Sequence, residues 1–278
     1  MCERSFFGNR NKKKQRRTCR MKSGGLGFLV LLLSMLAASV PCRAAQWYLR
    51  GGAGYEWSLD AGFHDEDSGA VDPPALFGQG PGSDGRDLGA YGDFGSFSVF
   101  ELAAGAQPLS WLRTDLSLTY RPEADYTARA NFINVPGEQP VSAEAESLTA
   151  MANFFLELTE LFHLDLGAFK PYVGGGVGVS YNEIGRMTYR FPGLTRHKLS
   201  VTPSGSRMDF AFMVTAGTGF RLSEKLLLDV SYRYSDLGKM ETDSGNMFMD
   251  ILPAGIDIAE TSAPFRTHGF LAGFRYLF

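Results

Sequence analysis

The residues with obvious chemical reach are few. The 278-residue sequence has four histidines, His64, His163, His197 and His268. An imidazole becomes a hydrolytic base only beside a nucleophile and an orienting acid. The three cysteines, Cys2, Cys19 and Cys42, fall in the first 44 residues, so residues 45–278 offer no thiol, disulfide or cysteine-bound metal. Asp65-Glu66-Asp67-Ser68-Gly69 is similar to the start of a calcium loop, but Asp72-Pro73-Pro74 stands where such a loop continues toward its bidentate glutamate. We read it as a solvated acidic tip, at most a weak divalent-ion binder, within the glycine-rich and mobile connection 58–96. The largest polar set is a series of acids and bases that share one parity of similar segments, such as Arg113 and Asp115, or Asp229 and Arg233. Their chemistry is mutual neutralisation.

Those charges must be held by strands. Eight segments alternate with a period of two: 47–57, 97–106, 112–121, 147–158, 170–182, 209–221, 225–235 and 267–278. The apolar parity of these segments covers 45 positions and contains no Lys, Arg, Asp or Glu. The opposite parity carries Arg50, Glu56, Glu101, Arg113, Asp115, Arg121, Glu157, Lys170, Asp209, Arg221, Lys225, Asp229, Arg233 and Arg275. An apolar, aromatic-rich outside and a charged inside describe a β-barrel in lipid, because hydrocarbon cannot solvate charge. Ten-residue strands tilted by about 45° span the apolar band, about 25 Å tall, of an outer membrane. Long connections (58–96, 122–146, 183–208, 236–266) alternate with short ones (107–111, 159–169, 222–224), as expected of external loops and periplasmic turns. The fold class expected is all-β, an eight-stranded antiparallel up-and-down transmembrane barrel occupying residues 45–278.

Residues 1–44 hold ten Lys or Arg and one acid, followed within the same stretch by the apolar run 24–40 and small residues. This is a secretory signal peptide with cleavage expected after Ala44 and translation starting at Met1 or Met21. The remainder has 17 basic and 29 acidic residues, a net charge of −12, which excludes a nucleic-acid binder.

Four segments carry a family likeness: Trp47-Tyr48-Leu49-Arg50-Gly51-Gly52-Ala53-Gly54-Tyr55, Lys170-Pro171-Tyr172-Val173-Gly174-Gly175-Gly176-Val177-Gly178, Leu228 through Gly238, and Gly273-Phe274-Arg275-Tyr276-Leu277-Phe278. With them the chain resembles the small outer-membrane barrels related to the OmpA transmembrane domain and the opacity-type surface proteins. The resemblance implies an assembly signal at Gly273, Tyr276 and Phe278, read by the outer-membrane assembly machinery, although Leu271 departs from the polar residue usual there. It also implies a chain without the periplasmic peptidoglycan-binding domain. The interior set Arg50, Glu56, Glu101, Arg113, Asp115, Arg121, Asp209, Arg221, Asp229, Arg233 and Arg275 is expected to form an ion-pair network, since an unpaired buried charge is costly and eight strands leave little lumen. The expected function is non-enzymatic, without cofactor or metal: an outer-membrane protein contacting lipid and lipopolysaccharide and presenting four long loops to host or cell-surface ligands. The alternatives are a narrow porin, a lipid-modifying barrel enzyme (the His-x-Ser pattern of lipid A deacylase barrels is absent), and a carrier of small apolar ligands, which would need an apolar interior.

Overall fold

The computed structural model describes residues 45–278. In chain order the strands are β1 (Gln46–Ser58), β2 (Ala61–Asp65), β3 (Ala90–Asp93), β4 (Ser96–Leu109), β5 (Leu112–Arg121), β6 (Tyr126–Ala130), β7 (Pro140–Ala143) and β8 (Ala145–Glu157). They continue with β9 (Phe169–Ile184), β10 (Thr188–Arg190), β11 (Leu199–Val201), β12 (Gly205–Arg221), β13 (Leu226–Thr242), β14 (Gly245–Met249), β15 (Leu252–Ile258) and β16 (Thr261–Leu277). One helical turn, Leu158–Leu161, sits in a short connection.

The eight long strands pair antiparallel in the order β1-β4-β5-β8-β9-β12-β13-β16, and β1 pairs with β16, from Tyr48 opposite Leu277 to Ser58 opposite Thr267. The ring is therefore closed, which removes every unpaired edge at the level of the hydrocarbon. Alternation sets its two surfaces. Leu102, Leu118, Phe154, Phe210 and Phe274 stand exposed on the outside, while Arg50, Glu101, Arg113, Asp115 and Arg121 are buried within.

Above this ring the long connections add a second tier that the sequence pattern did not foretell. The eight short strands form a second row in the order β2-β3-β6-β7-β10-β11-β14-β15. Each long connection contributes one hairpin, and neighbouring hairpins pair laterally (β3 with β6, β7 with β10, β11 with β14). The result is a crown that continues the barrel wall. Its one seam lies between β15 and β2, where β2 pairs instead with the upper end of β16 (Asp65 opposite Thr261, His64 opposite Ser262), the Ala259 amide donates to the Pro74 carbonyl and the Glu66 amide to the Glu260 carbonyl. β15 keeps a free edge, but it carries Pro253, Asp257 and a kink at Gly255, whose φ of 68° an L side chain rarely adopts.

Candidate functional site

The lumen at membrane level holds five arginines (Arg50, Arg113, Arg121, Arg233, Arg275) and five carboxylates (Glu56, Glu101, Asp115, Glu157, Asp229), all buried. Inward parity puts them on one surface; the barrel's small bore puts them in contact. Arg121 reaches Glu56 at 2.7 Å, and Glu56 also accepts from Thr267 at 2.9 Å. Glu101 binds Arg50 and, at 2.6 Å, Arg233, and accepts from Thr119 at 3.1 Å. Arg50 turns its second nitrogen to Asp115 at 3.1 Å, which also receives the Tyr48 hydroxyl at 2.9 Å and the Asn153 amide at 2.7 Å. Nearest the short turns, Arg275 lies 3.0 Å from Asp229 and 3.3 Å from Glu157, and Arg113 lies 3.3 Å from Glu157. The Arg113 guanidinium also rests over Phe155 and Tyr172, at 4.4 and 4.7 Å from the ring centres. Equal numbers of the two signs give this layer no net charge.

Two of the expected interior residues stand apart. Asp209 is on the inward parity but lies at the outer rim, its carboxylate 3.3 Å from Arg207 and accepting from the Lys239 amide. The bulge between Asp236 and Lys239, built on Gly238 at φ 76°, brings β13 backbone against Asp209 and holds it there. Arg221 ends β12 at the short-turn mouth, exposed, and makes no ion pair among the described residues. Glu157, at the end of β8, takes part in the lower pairs instead.

Between the ion pairs and the rim the interior changes character. Phe97, Phe265, Ala211, Met213, Leu237, Met240 and Ile184 face inward and are buried. The crown hairpins add Phe63, Phe94 and Tyr126, with ring centres 4.9 Å apart for Phe63–Tyr126, Phe94–Tyr126 and Phe94–Phe265. The outer half of the lumen is thus largely apolar, as the ligand-carrier alternative requires, but its own side chains occupy it, with Ser180 and Asn182 among them donating to the Leu237 carbonyl.

The acidic connection 58–96 is not a loose loop. The Asp65 carboxylate accepts the amides of Leu76, Phe77 and Gly78 at 2.8 to 3.3 Å, folding the segment back so that Phe77 stacks on Phe132 at 5.4 Å. The carboxylate expected to hydrate, or to bind an ion, instead caps its own backbone, and the sequence signal for this is no more than an aspartate ahead of an aromatic. Asp84 holds the Asn131 side-chain amide at 2.7 Å and the Arg86 guanidinium, contacts that draw its carboxyl down to about 2. Glu66 accepts from Lys239 at 2.8 Å and from Ser262, which also lowers its carboxyl from the ordinary range. Asp250 accepts the Lys198 and Leu199 amides at 2.7 and 3.2 Å, joining the third and fourth hairpins.

The structure does bring one histidine beside a serine and an acid. His197 Nε2 lies 2.8 Å from Ser200 Oγ and 3.9 Å from Asp250. Both approach the same ring nitrogen, whereas a triad needs the acid on the opposite one, and Ser200 is buried. The arrangement is a latch between hairpins. His64 faces the Leu88 carbonyl and Tyr91 in the crown, His163 lies in a short connection, and His268 sits on the outer face between Trp57 and Tyr232. At the end of β16, Gly273 pairs with Gly52 and Asp229, and Tyr276 and Phe278 project outward with their rings 5.3 Å apart.

Comparison with known proteins places this architecture. The outer membrane protein PagN of Salmonella typhimurium is 25% identical over 167 residues, 60% of this chain and 65% of that protein, so the chain spans just under two thirds of that relative's length. An uncharacterised protein of Brucella abortus is 28% identical over 218 residues, covering 73% of this chain and 70% of its own length. Among solved structures, the outer membrane protein OprG of Pseudomonas aeruginosa aligns with a TM-score of 0.45 at 14% identity, over 84% of this chain and 96% of that one. The model of the outer membrane protein beta-barrel domain matches residues 28–278, and the chain belongs to that family and to the outer membrane.

Proposed function

We propose that this protein is a non-enzymatic barrel that strengthens the envelope and offers its crown as a fixed surface for host or neighbouring-cell molecules. The observation that carries the reading is the filled bore: paired charges in one half and interlocked aromatics in the other leave the crown's outer wall as the part able to meet a partner. Lipopolysaccharide and lipid surround the apolar face. Residues 1–44 serve as the export signal, and Gly273, Tyr276 and Phe278 as the assembly signal. Replacing Phe278 should then reduce the heat-shifted, folded band in membranes without changing synthesis. Single-channel recording of the refolded protein tests the filled bore. A quiet bilayer is expected, and steady openings would assign a narrow porin instead.

A further inference from the structure

Crown charge is unevenly divided. The first connection (58–96) carries eight acids against Arg86, a net charge of −7. The second (122–144) and fourth (243–260) are also acidic. The third, counted between the end of β9 and the start of β12 (185–204), has no acid and holds Arg186, Arg190, Arg196 and Lys198, all exposed, for a net charge of +4. These four side chains make no ion pair among the described residues. Acids remain exposed on the first connection at Asp60, Asp67, Asp72 and Asp87. The ring order places the β2-β3 hairpin and the β10-β11 hairpin on opposite sides, with one hairpin between them in each direction. The crown therefore has a negative face and, across its diameter, a positive one.

The lipid-facing wall beneath shows a second, independent complementarity. Under the acidic side lies an apolar depression of about 450 Å³, floored by Gly51 and walled by Phe100, Leu102, Leu118, Tyr120 and Leu148. The depression runs across β1, β4, β5 and β8; opposite its β1 and β4 side, under the basic hairpin, β9 and β12 raise a ridge of Val177, Val179, Met208, Phe210 and Val214, with Met208 and Phe210 more than 60% exposed. Every copy stands the same way up in one membrane, so the acidic face of one barrel meets the basic face of the next at the same height. Depression and ridge then meet at the same time.

We propose that this barrel associates with a second copy of itself head to tail in the membrane plane, the third connection of one copy against the first connection of its neighbour. Such a contact is heterologous and leaves a free face at each end, so it makes rows and not isolated dimers. It holds whether or not the crown has a ligand of its own.

The test uses the mature protein, whose chain from Ala45 has no cysteine, reconstituted in bilayers containing lipopolysaccharide. Single variants Asp87→Cys and Lys198→Cys are treated with a short bifunctional thiol reagent, separately and mixed. Cross-linked dimers are expected from the mixture and not from either alone, and the double variant should give a ladder of increasing size. Reversing the basic hairpin (Arg186→Glu, Arg190→Glu, Arg196→Glu) should cut the yield about tenfold, and adding Asp60→Lys, Asp67→Lys and Asp72→Lys should restore it. Two further arms do not depend on how the reversed hairpin folds. Raising salt to 1 M, where screening acts within about 3 Å, should shorten the ladder. Gly51→Phe, which fills the depression, should shorten it with every charge in place. Equal yields from the unmixed variants, or yields indifferent to both charge and salt, would overturn the proposal. So would a ladder seen in phospholipid bilayers alone and abolished by lipopolysaccharide, which would assign the basic hairpin to lipid phosphates.

Discussion

Removing the Glu101 carboxylate tests whether the lumen is dry. Glu101 is 2% exposed and joins Arg50, Arg233 and Thr119. In Glu101→Gln the two guanidiniums fare differently: Arg50 keeps Asp115 at 3.1 Å, whereas Arg233 loses the carboxylate 2.6 Å away and has no other ion pair among the described residues. Stranding one buried charge in this way costs about 3–5 kcal/mol. Deleting the partner as well, in Glu101→Gln with Arg233→Met, removes the orphan and should recover most of that loss, because replacing both members of a buried pair is often close to neutral. With a urea slope of about 1–3 kcal/mol per molar, the single variant should unfold more than about 1 M earlier than the parent. Urea titration in lipid vesicles, followed by the emission of Trp47, Trp57 and Trp111, measures this. A single variant within about 0.5 kcal/mol of the parent would mean that water screens the network as it does surface pairs. The lumen would then be a wet path, and the filled-bore reasoning would fail.

Three other outcomes follow from the crown. Trypsin acting on intact cells should cut first at Arg86, Arg196 and Lys198, which lie between crown strands, and only later at Arg129 and Arg190, which lie within β6 and β10; simultaneous cleavage at all five, read by peptide mass spectrometry, would mean the hairpins are not formed. Asp65→Ala removes the acceptor of the Leu76, Phe77 and Gly78 amides, which fold residues 65–78 into a strap, and hydrogen bonds to a charged group contribute about 1.5–3 kcal/mol each at most. The strap should open and cleavage at Arg86 should quicken at least tenfold, while the barrel's heat-shifted mobility stays unchanged. The Asp84–Asn131 contact depends on an ionised carboxyl whose folded pKa lies below the ordinary value. Its contribution is complete above the ordinary carboxylate range and is lost as pH falls through about 2, so exchange of the Ser83 amide, held by the Asn131 carbonyl, should stay slow at pH 4.

The barrel was legible because each wall strand alternates for ten residues or more, long enough for a charge-free parity to stand out. The crown was not, because its strands are three to seven residues long. Tyr126-Thr-Ala-Arg-Ala alternates correctly, with Tyr126, Ala128 and Ala130 buried, but five residues resemble any loop. The charges of the network shared a parity in the sequence. Height along the strand, which that parity does not encode, separates Asp209 and Arg221 from the rest. The aromatic upper lumen escaped notice for a related reason. Phe63, Phe94 and Tyr126 come from the long connections, whose alternating runs are too short to mark an inward face. Asp65 was read as a hydrated acid because its amide partners lie 11 to 13 residues further on, and only the folded strap brings them within reach.

The open side of β15 bears on how densely the protein can be displayed. Thousands of crowns crowded on one cell would zip into intermolecular sheets if each offered a straight row of free amides and carbonyls. A missing amide at Pro253, a negative side chain at Asp257 and a kinked backbone at Gly255 spoil that row over its whole length. Neighbouring copies can therefore touch through side chains while their backbones stay separate.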